Sequence, residues 1–142
     1  MGTEDPTSRP VGWWLKEADA RLDLAFDRAF GAVGRTRREW QVLSTLARRP
    51  TTHGELVSAL AAFGPPRTVE VVVERLVELG EVVSEEGLLH LTALGQRVQG
   101  DLGHLADDVR RRVRAALPEA DYIALVRLLA RLVDGLEEPR SD

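Results

Sequence analysis

The sequence contains no cysteine, so neither a disulfide nor a thiolate metal site can form. Aromatic residues are few: three Trp, three Phe and one Tyr in 142 residues, which leaves most of the burial to aliphatic side chains. Lysine occurs once, at Lys16, and arginine supplies every other side-chain cation. No apolar run is long enough to span a bilayer, and no basic flank precedes an apolar segment at the N-terminus. A soluble cytoplasmic protein with no membrane partner is expected. Catalytic parts are missing as well. There is no Gly-x-Ser-x-Gly, no phosphate-cradling glycine loop and no His-Glu-x-x-His. The carboxylates are strewn over amphipathic helices, where solvation is their ordinary role. His90 and His104 lack partners at metal-ligand spacing. Neither enzyme, metal nor cofactor is expected.

What is present is a helical chain of one-domain length, 44% apolar, with a formal charge of −4. The stretch from Thr52 to Leu91 organises it. Thr52 and Glu55 form a capping box at a helix start, and Phe63-Gly64-Pro65-Pro66 breaks the chain. A second helix runs from about Pro66 to Leu79, with Val69, Val72, Val73, Leu76 and Leu79 on its apolar stripe, and stops at Gly80. Its other face carries Arg67, Val71, Glu74, Arg75 and Glu78. Val82-Val83 and Leu88 to Leu91 read as two short strands joined by a turn at Ser84-Glu85-Glu86-Gly87. Helix, turn, helix and hairpin in this order is a winged helix-turn-helix.

The flanks are also helical. Met1 to Val11 reads as a loose arm. Leu15, Ala18, Leu22, Phe26, Ala29 and Val33 then mark a long helix ending near Gly31 to Gly34. Thr36 and Glu39 form another capping box before Trp40, Leu43 and Leu46, and Pro50 closes that helix. Thr92 caps a helix over about Ala93 to Ala116, interrupted by Gly95, Gly100 and Gly103, and a last helix covers about Ala120 to Leu136. The tail from Glu137 to Asp142 is polar and expected to fray. The predicted fold is mainly α: a single domain over 1–142, with a winged helix at 36–92 and a small β-hairpin. N- and C-terminal helices at 12–34 and 93–137 flank it. Those helices hold more apolar surface than a monomer can cover, so dimerisation through them is expected.

The order of these pieces resembles the MarR family of bacterial transcription regulators over about Trp13 to Leu136. The carrying residues are Thr36 to Leu43, Thr68-Val69, Glu74-Arg75-Leu76, Leu91 to Gly95 and Leu117-Pro118-Glu119. The resemblance implies a homodimer that binds pseudo-palindromic double-stranded DNA as a transcription regulator, by family habit a repressor. It also implies a small aromatic or lipophilic effector lodged between the dimerisation region and the DNA-binding lobe. Two features depart from the pattern. The wing is short, acidic and without arginine, and Glu70 and Val71 stand where polar or basic base-readers are common in the family. Arginines and glutamates between 35 and 99 balance at eight each.

The candidate DNA contacts are Arg67 and Arg75, which can read guanine or hold phosphate but can also pair with Glu70, Glu74 or Glu78. Thr68 sits in the first helical turn, and Val71 could meet a thymine methyl. Thr52 and His53 begin the preceding helix, where free amides favour a phosphate. Arg37 and Arg38 could reach the backbone from the second helix. Trp14, Phe26, Phe30 and Trp40, with Trp13, are candidates to line an effector pocket, with core packing as the other reading. A second function stays open: a winged-helix protein-interaction or anti-regulator module with weak or lost DNA binding, to which the acidic wing, Glu70 and Val71 point.

Overall fold

A computed structural model describes residues 4–139. Six α-helices and one hairpin follow in the expected order: α1 (Val11–Gly31), α2 (Arg37–Arg48), α3 (His53–Ala59), α4 (Pro66–Glu78), β1 (Val82–Glu85), β2 (Leu88–Leu91), α5 (Ala93–Ala116) and α6 (Glu119–Gly135). The parts of the terminal arm and tail before Glu4 and after Pro139 lie outside the described residues. α2 is the centre of the packing: α1, α3, α4, α5 and β2 all lie against it. Its Val42, Leu43 and Leu46 are buried, with Phe30, Leu56, Leu76 and Leu102 around them. α1 and α5 also pack on each other, which carries the core out of the winged lobe into the flanking helices.

Three local expectations change. The N-terminal segment is folded rather than loose. Asp5 caps a short 3₁₀ turn at Pro6–Ser8, the Trp14 indole N–H donates to the Pro6 carbonyl at 2.9 Å, and Arg9 lies over the Trp13 ring at 4.0 Å. The Thr7 amide and hydroxyl hold the Asp5 carboxyl below its ordinary range. The hairpin turn is tighter than four residues. Ser84 and Glu85 extend β1, and Glu86-Gly87 alone reverse the chain, at φ of 51° and 77°. That pair of positive φ values is the two-residue turn whose twist matches a hairpin. The capping boxes are also half-formed. Thr36 and Thr52 accept from the amides of Glu39 and Glu55 at 3.2 and 3.1 Å. The Glu39 and Glu55 carboxylates turn instead to Arg35 at 2.6 Å and Arg49 at 3.2 Å.

Thr51 adds a bridge to Leu89, exchanging main-chain hydrogen bonds of 3.2 and 2.8 Å, so the wing has a third, one-residue strand. α6 stands apart from this core and buries none of its residues. Tyr122, Ile123, Leu125, Val126, Leu128, Val133 and Leu136 are all exposed.

Candidate nucleic-acid interface

α4 begins where the chain cannot continue a previous helix. Gly64 at φ 156° swings the backbone, and Pro65-Pro66 place proline at the cap and first helical position, where no amide donor is lost. It ends at Gly80, whose φ of 76° suits glycine. Val69, Val73 and Leu76 are buried, so the spacing of those three fixes which face turns outward. That outer face presents Arg67, Glu70, Val71, Glu74, Arg75 and Glu78, all exposed, with Val71 55% accessible. Leu79, read as part of the apolar stripe, is 41% exposed because it already caps the helix.

α3 lies beside the start of this face. Thr52 caps it through the Glu55 amide, and His53 in its first turn brings Nε2 to 3.9 Å from Glu70 Oε1 on α4. The two helices therefore offer one continuous surface, with His53, Arg67, Val71 and Arg75 on it. Arg67 has no ion-pair partner among the described residues. Thr68 is half-buried at the helix start, its amide donating to the Pro65 carbonyl at 3.0 Å. It lines a crevice of about 10 Å³ with Arg38, Phe63 and Val72, room for a single water.

Arg37 and Arg38 are drawn elsewhere. Arg37 reaches Asp23 on α1 at 2.5 Å and lies over the Phe26 ring at 4.7 Å, with 13% of its side chain exposed. Arg38 is shared between Gln41 at 2.9 Å and Asp23 at 3.5 Å. Both guanidinium groups tie α2 to α1. The wing tip carries Glu85 and Glu86, both exposed, and no cation.

The strongest electrostatic feature lies behind α4. Arg35 donates from both terminal nitrogens to the two Glu81 oxygens, each at 2.6 Å, and from Nε to Glu39 at 2.6 Å. All three side chains are nearly or wholly buried. The Glu81 carboxylate raises the Arg35 pKa above its ordinary value, burial opposes it, and Glu39 adds to the rise. Arg75 of α4 approaches this group, its Nε 3.6 Å from Glu39 Oε2. Sequence reading misses the arrangement because Glu81 is 46 residues from Arg35; only the i,i+4 spacing of Arg35 and Glu39 was visible.

The aromatic candidates divide. Phe26, Phe30 and Trp40 stack on one another with ring centroids 5.6 to 6.0 Å apart, filling the α1–α2 junction. Trp14 lies away from them, against Trp13 and 43% exposed. Trp40 Nε1 and Ser44 Oγ, one turn apart on α2, are buried with no hydrogen-bond partner among the described residues. The Arg110 guanidinium of α5 lies over the Trp40 ring at 5.2 Å. A larger cleft of about 420 Å³ opens elsewhere, between Arg48-Arg49-Pro50, His90, Gln96 and Gln99. No group of three metal-ligating side chains occurs among the described residues, and no described helix is long and apolar enough to cross a membrane.

A helix-turn-helix followed by a hairpin, with one helix before it and two after, defines a winged-helix protein with flanking helices. No protein-family profile and no curated protein matches the sequence. Solved structures do match it. The MarR family protein of Mycobacterium tuberculosis is 26% identical, covering 93% of this chain and 98% of its own, at a TM-score of 0.66. A probable transcriptional regulator from Pseudomonas aeruginosa is also 26% identical, over 89% of this chain and 98% of its own, at 0.75. BpsR of Bordetella bronchiseptica, whose DNA binding is regulated by 6-hydroxynicotinic acid, is 23% identical over 94% and 99%, at 0.77. In fold and order of elements the chain is similar to these MarR-family winged-helix proteins.

Proposed function

We propose that the chain is a DNA-binding transcription regulator, a repressor, acting in the cytoplasm as a homodimer on a pseudo-palindromic operator, and that it is not an enzyme. The observation that carries this reading is the outward face of α4. It is held by a buried valine and leucine stripe beside the start of α3, on a fold that the M. tuberculosis protein uses in a complex with DNA. Residues 36–92 would form the DNA-binding lobe, with 12–34 and 93–137 as dimerisation helices. The bare apolar face of α6 supports the second assignment, since pairing with another copy covers it. Two copies related by a twofold axis would then set their α4 helices on half-sites about one turn of DNA apart. Arg67, Arg75 and Val71 would face bases or phosphates, and Thr52, His53 and Thr68 would lie near the backbone.

With Glu85 and Glu86 at the wing tip, the wing adds little affinity, and α4 carries most of the contact. A small aromatic acid is the effector class this reading implies. Salicylic acid is bound by the M. tuberculosis protein. The unpartnered Trp40 Nε1 and Ser44 Oγ on α2 favour a polar ligand on that side of the lobe. The second reading, a protein-interaction module, draws on one observation: Val71 is exposed between Glu70 and Glu74, on a helix that DNA would approach with negative phosphates.

The test of the first reading is a duplex selected for binding from a randomised pool. Arg67→Ala with Arg75→Ala is expected to weaken it roughly 30-fold or more, since losing each arginine contact with a base costs about 1–3 kcal/mol and about 1.4 kcal/mol is tenfold. Unchanged affinity would favour the protein-interaction reading. For the dimer, Ile123→Glu with Val126→Glu places two carboxylates on the exposed α6 face. Sedimentation is expected to shift from dimer to monomer, with the helical circular dichroism of the lobe retained. A wild-type protein that sediments as a monomer at micromolar concentration would contradict the assignment.

A further inference from the structure

We propose that Glu39, clamped by Arg35, is a positioning residue that holds the Arg75 guanidinium of α4 in the pose that contacts DNA; this rests on the DNA-binding reading above. Arg35, Glu39 and Glu81 together carry one uncompensated negative charge in a buried place, with the Glu39 side chain only 4% exposed. Such a group attracts the nearest free cation, and the nearest is Arg75, at 3.6 Å through Nε. Contact through Nε matters for what is left over. A guanidinium has five N–H donors, and anchoring at Nε leaves the NH1/NH2 edge, the fork that matches a guanine edge or a phosphate. The Arg75 side chain is 55% exposed, so that edge remains accessible from solvent.

Glu39 itself cannot swing out to meet DNA or to release Arg75. Its amide donates to the Thr36 hydroxyl oxygen and its carboxylate accepts from Arg35 Nε, both at the start of α2. The pair therefore links the recognition helix to the helix at the centre of the core. Arg67, eight residues earlier on the same face, has no ion partner among the described residues and must lose more side-chain freedom on binding. Holding Arg75 in advance removes part of that cost.

Glu39→Gln tests this with little disturbance, because Gln keeps the shape, the amide of residue 39 still donates to the Thr36 hydroxyl, and a Gln side-chain oxygen can still accept from that hydroxyl and from Arg35. Electrostatics alone predicts that deleting a negative charge tightens binding to every duplex. Positioning predicts the opposite sign for the selected duplex: roughly three- to tenfold weaker binding, with no such loss on a scrambled duplex. In the Arg75→Ala background, Glu39→Gln should then cost nothing further. The Arg75 Nε–H signal in NMR, slow to exchange with solvent in the wild type, should broaden in Glu39→Gln while the backbone spectrum stays folded. Equal or tighter binding to the selected duplex, the same loss without Arg75, or an unaltered Arg75 signal would each overturn the positioning role. A randomised pool that yields no selective duplex for the wild-type protein would overturn the DNA reading and the use of the pose together.

Discussion

Arg35→Met is expected to destabilise the fold by about 3–5 kcal/mol, the range for breaking a buried ion pair from one side. The loss is large because two carboxylates remain. Glu39 and Glu81 are both about 4% exposed, and Arg35 supplies three bonds of 2.6 Å to them. Arg75, half in solvent at 3.6 Å, cannot replace that. Urea unfolding of the variant measures the loss, and Arg35→Met with Glu39→Leu and Glu81→Met should recover most of it, since an apolar trio of similar volume needs no counter-charge. The pH dependence has a definite sign. The folded pKa of Arg35 is raised, so its contribution is fully present below the unfolded value and is lost only as pH climbs through the folded one. Between about pH 6 and 9 the Arg35→Met penalty from this group should therefore be flat. A variant as stable as the wild type would contradict the role given to the triad.

Gly95→Ala reverses an ordinary expectation. An exposed helical glycine changed to alanine gains about 1 kcal/mol. At Gly95 the added Cβ would lie 2.0 Å from the Glu81 carbonyl oxygen, a backbone atom that already accepts the Thr92 amide at 3.0 Å. Thr92 also donates its hydroxyl to the Gly80 carbonyl at 2.6 Å, so the start of α5 is bound to the junction of α4 and β1. Nothing there can yield cheaply, and a loss of roughly 2–3 kcal/mol follows for Gly95→Ala. Gly100, five residues on in the same helix, has nothing within 4 Å of its added Cβ, and Gly100→Ala should be neutral or stabilising by up to about 1 kcal/mol. Thermal melts of the two variants compare them directly. Equal shifts would mean that the close approach of α5 to Glu81 does not exist in solution. Because this junction sets where α4 ends and β1 starts, Gly95→Ala should also weaken any DNA binding that depends on the pose of α4.

The elements themselves were legible in the sequence because each carries its own local signal. Thr36, Thr52 and Thr92 do cap α2, α3 and α5, and the valine and leucine spacing of α4 does name its buried face. The hairpin turn is shorter than the polar run Ser84 to Gly87 suggests, because polarity alone does not separate a solvent-facing strand end from a turn. Only the pairing of Glu85 with Leu88 reveals that the reversal needs just Glu86 and Gly87. The candidate site was legible by face but not by partner. Arg67 and Arg75 lie on the exposed surface, as periodicity demands, yet periodicity is silent on Asp23 reaching Arg37 or Glu81 reaching Arg35, contacts separated by 14 and 46 residues. The three glycines of α5 looked alike in sequence, and only packing separates Gly95 from the others. The aromatics show the same limit. Residue type alone groups Trp14 with Phe26, Phe30 and Trp40 as pocket candidates, whereas the fold stacks the last three and turns Trp14 toward Pro6.

On this reading α4 reads DNA despite a wing without arginine and a lobe with no excess of positive charge. Fluorescence anisotropy of the purified wild-type protein tests it most directly. The probes are a duplex from the chain's own promoter region and one selected from a randomised pool, each against a scrambled control, across roughly 50 to 200 mM salt. Selective binding to the selected duplex is expected, with a salt slope shallower than that of proteins with many phosphate contacts, because few arginines face the DNA. Equal and feeble binding to every duplex at the lowest salt would contradict it and leave the exposed face of α4 as a surface for a protein.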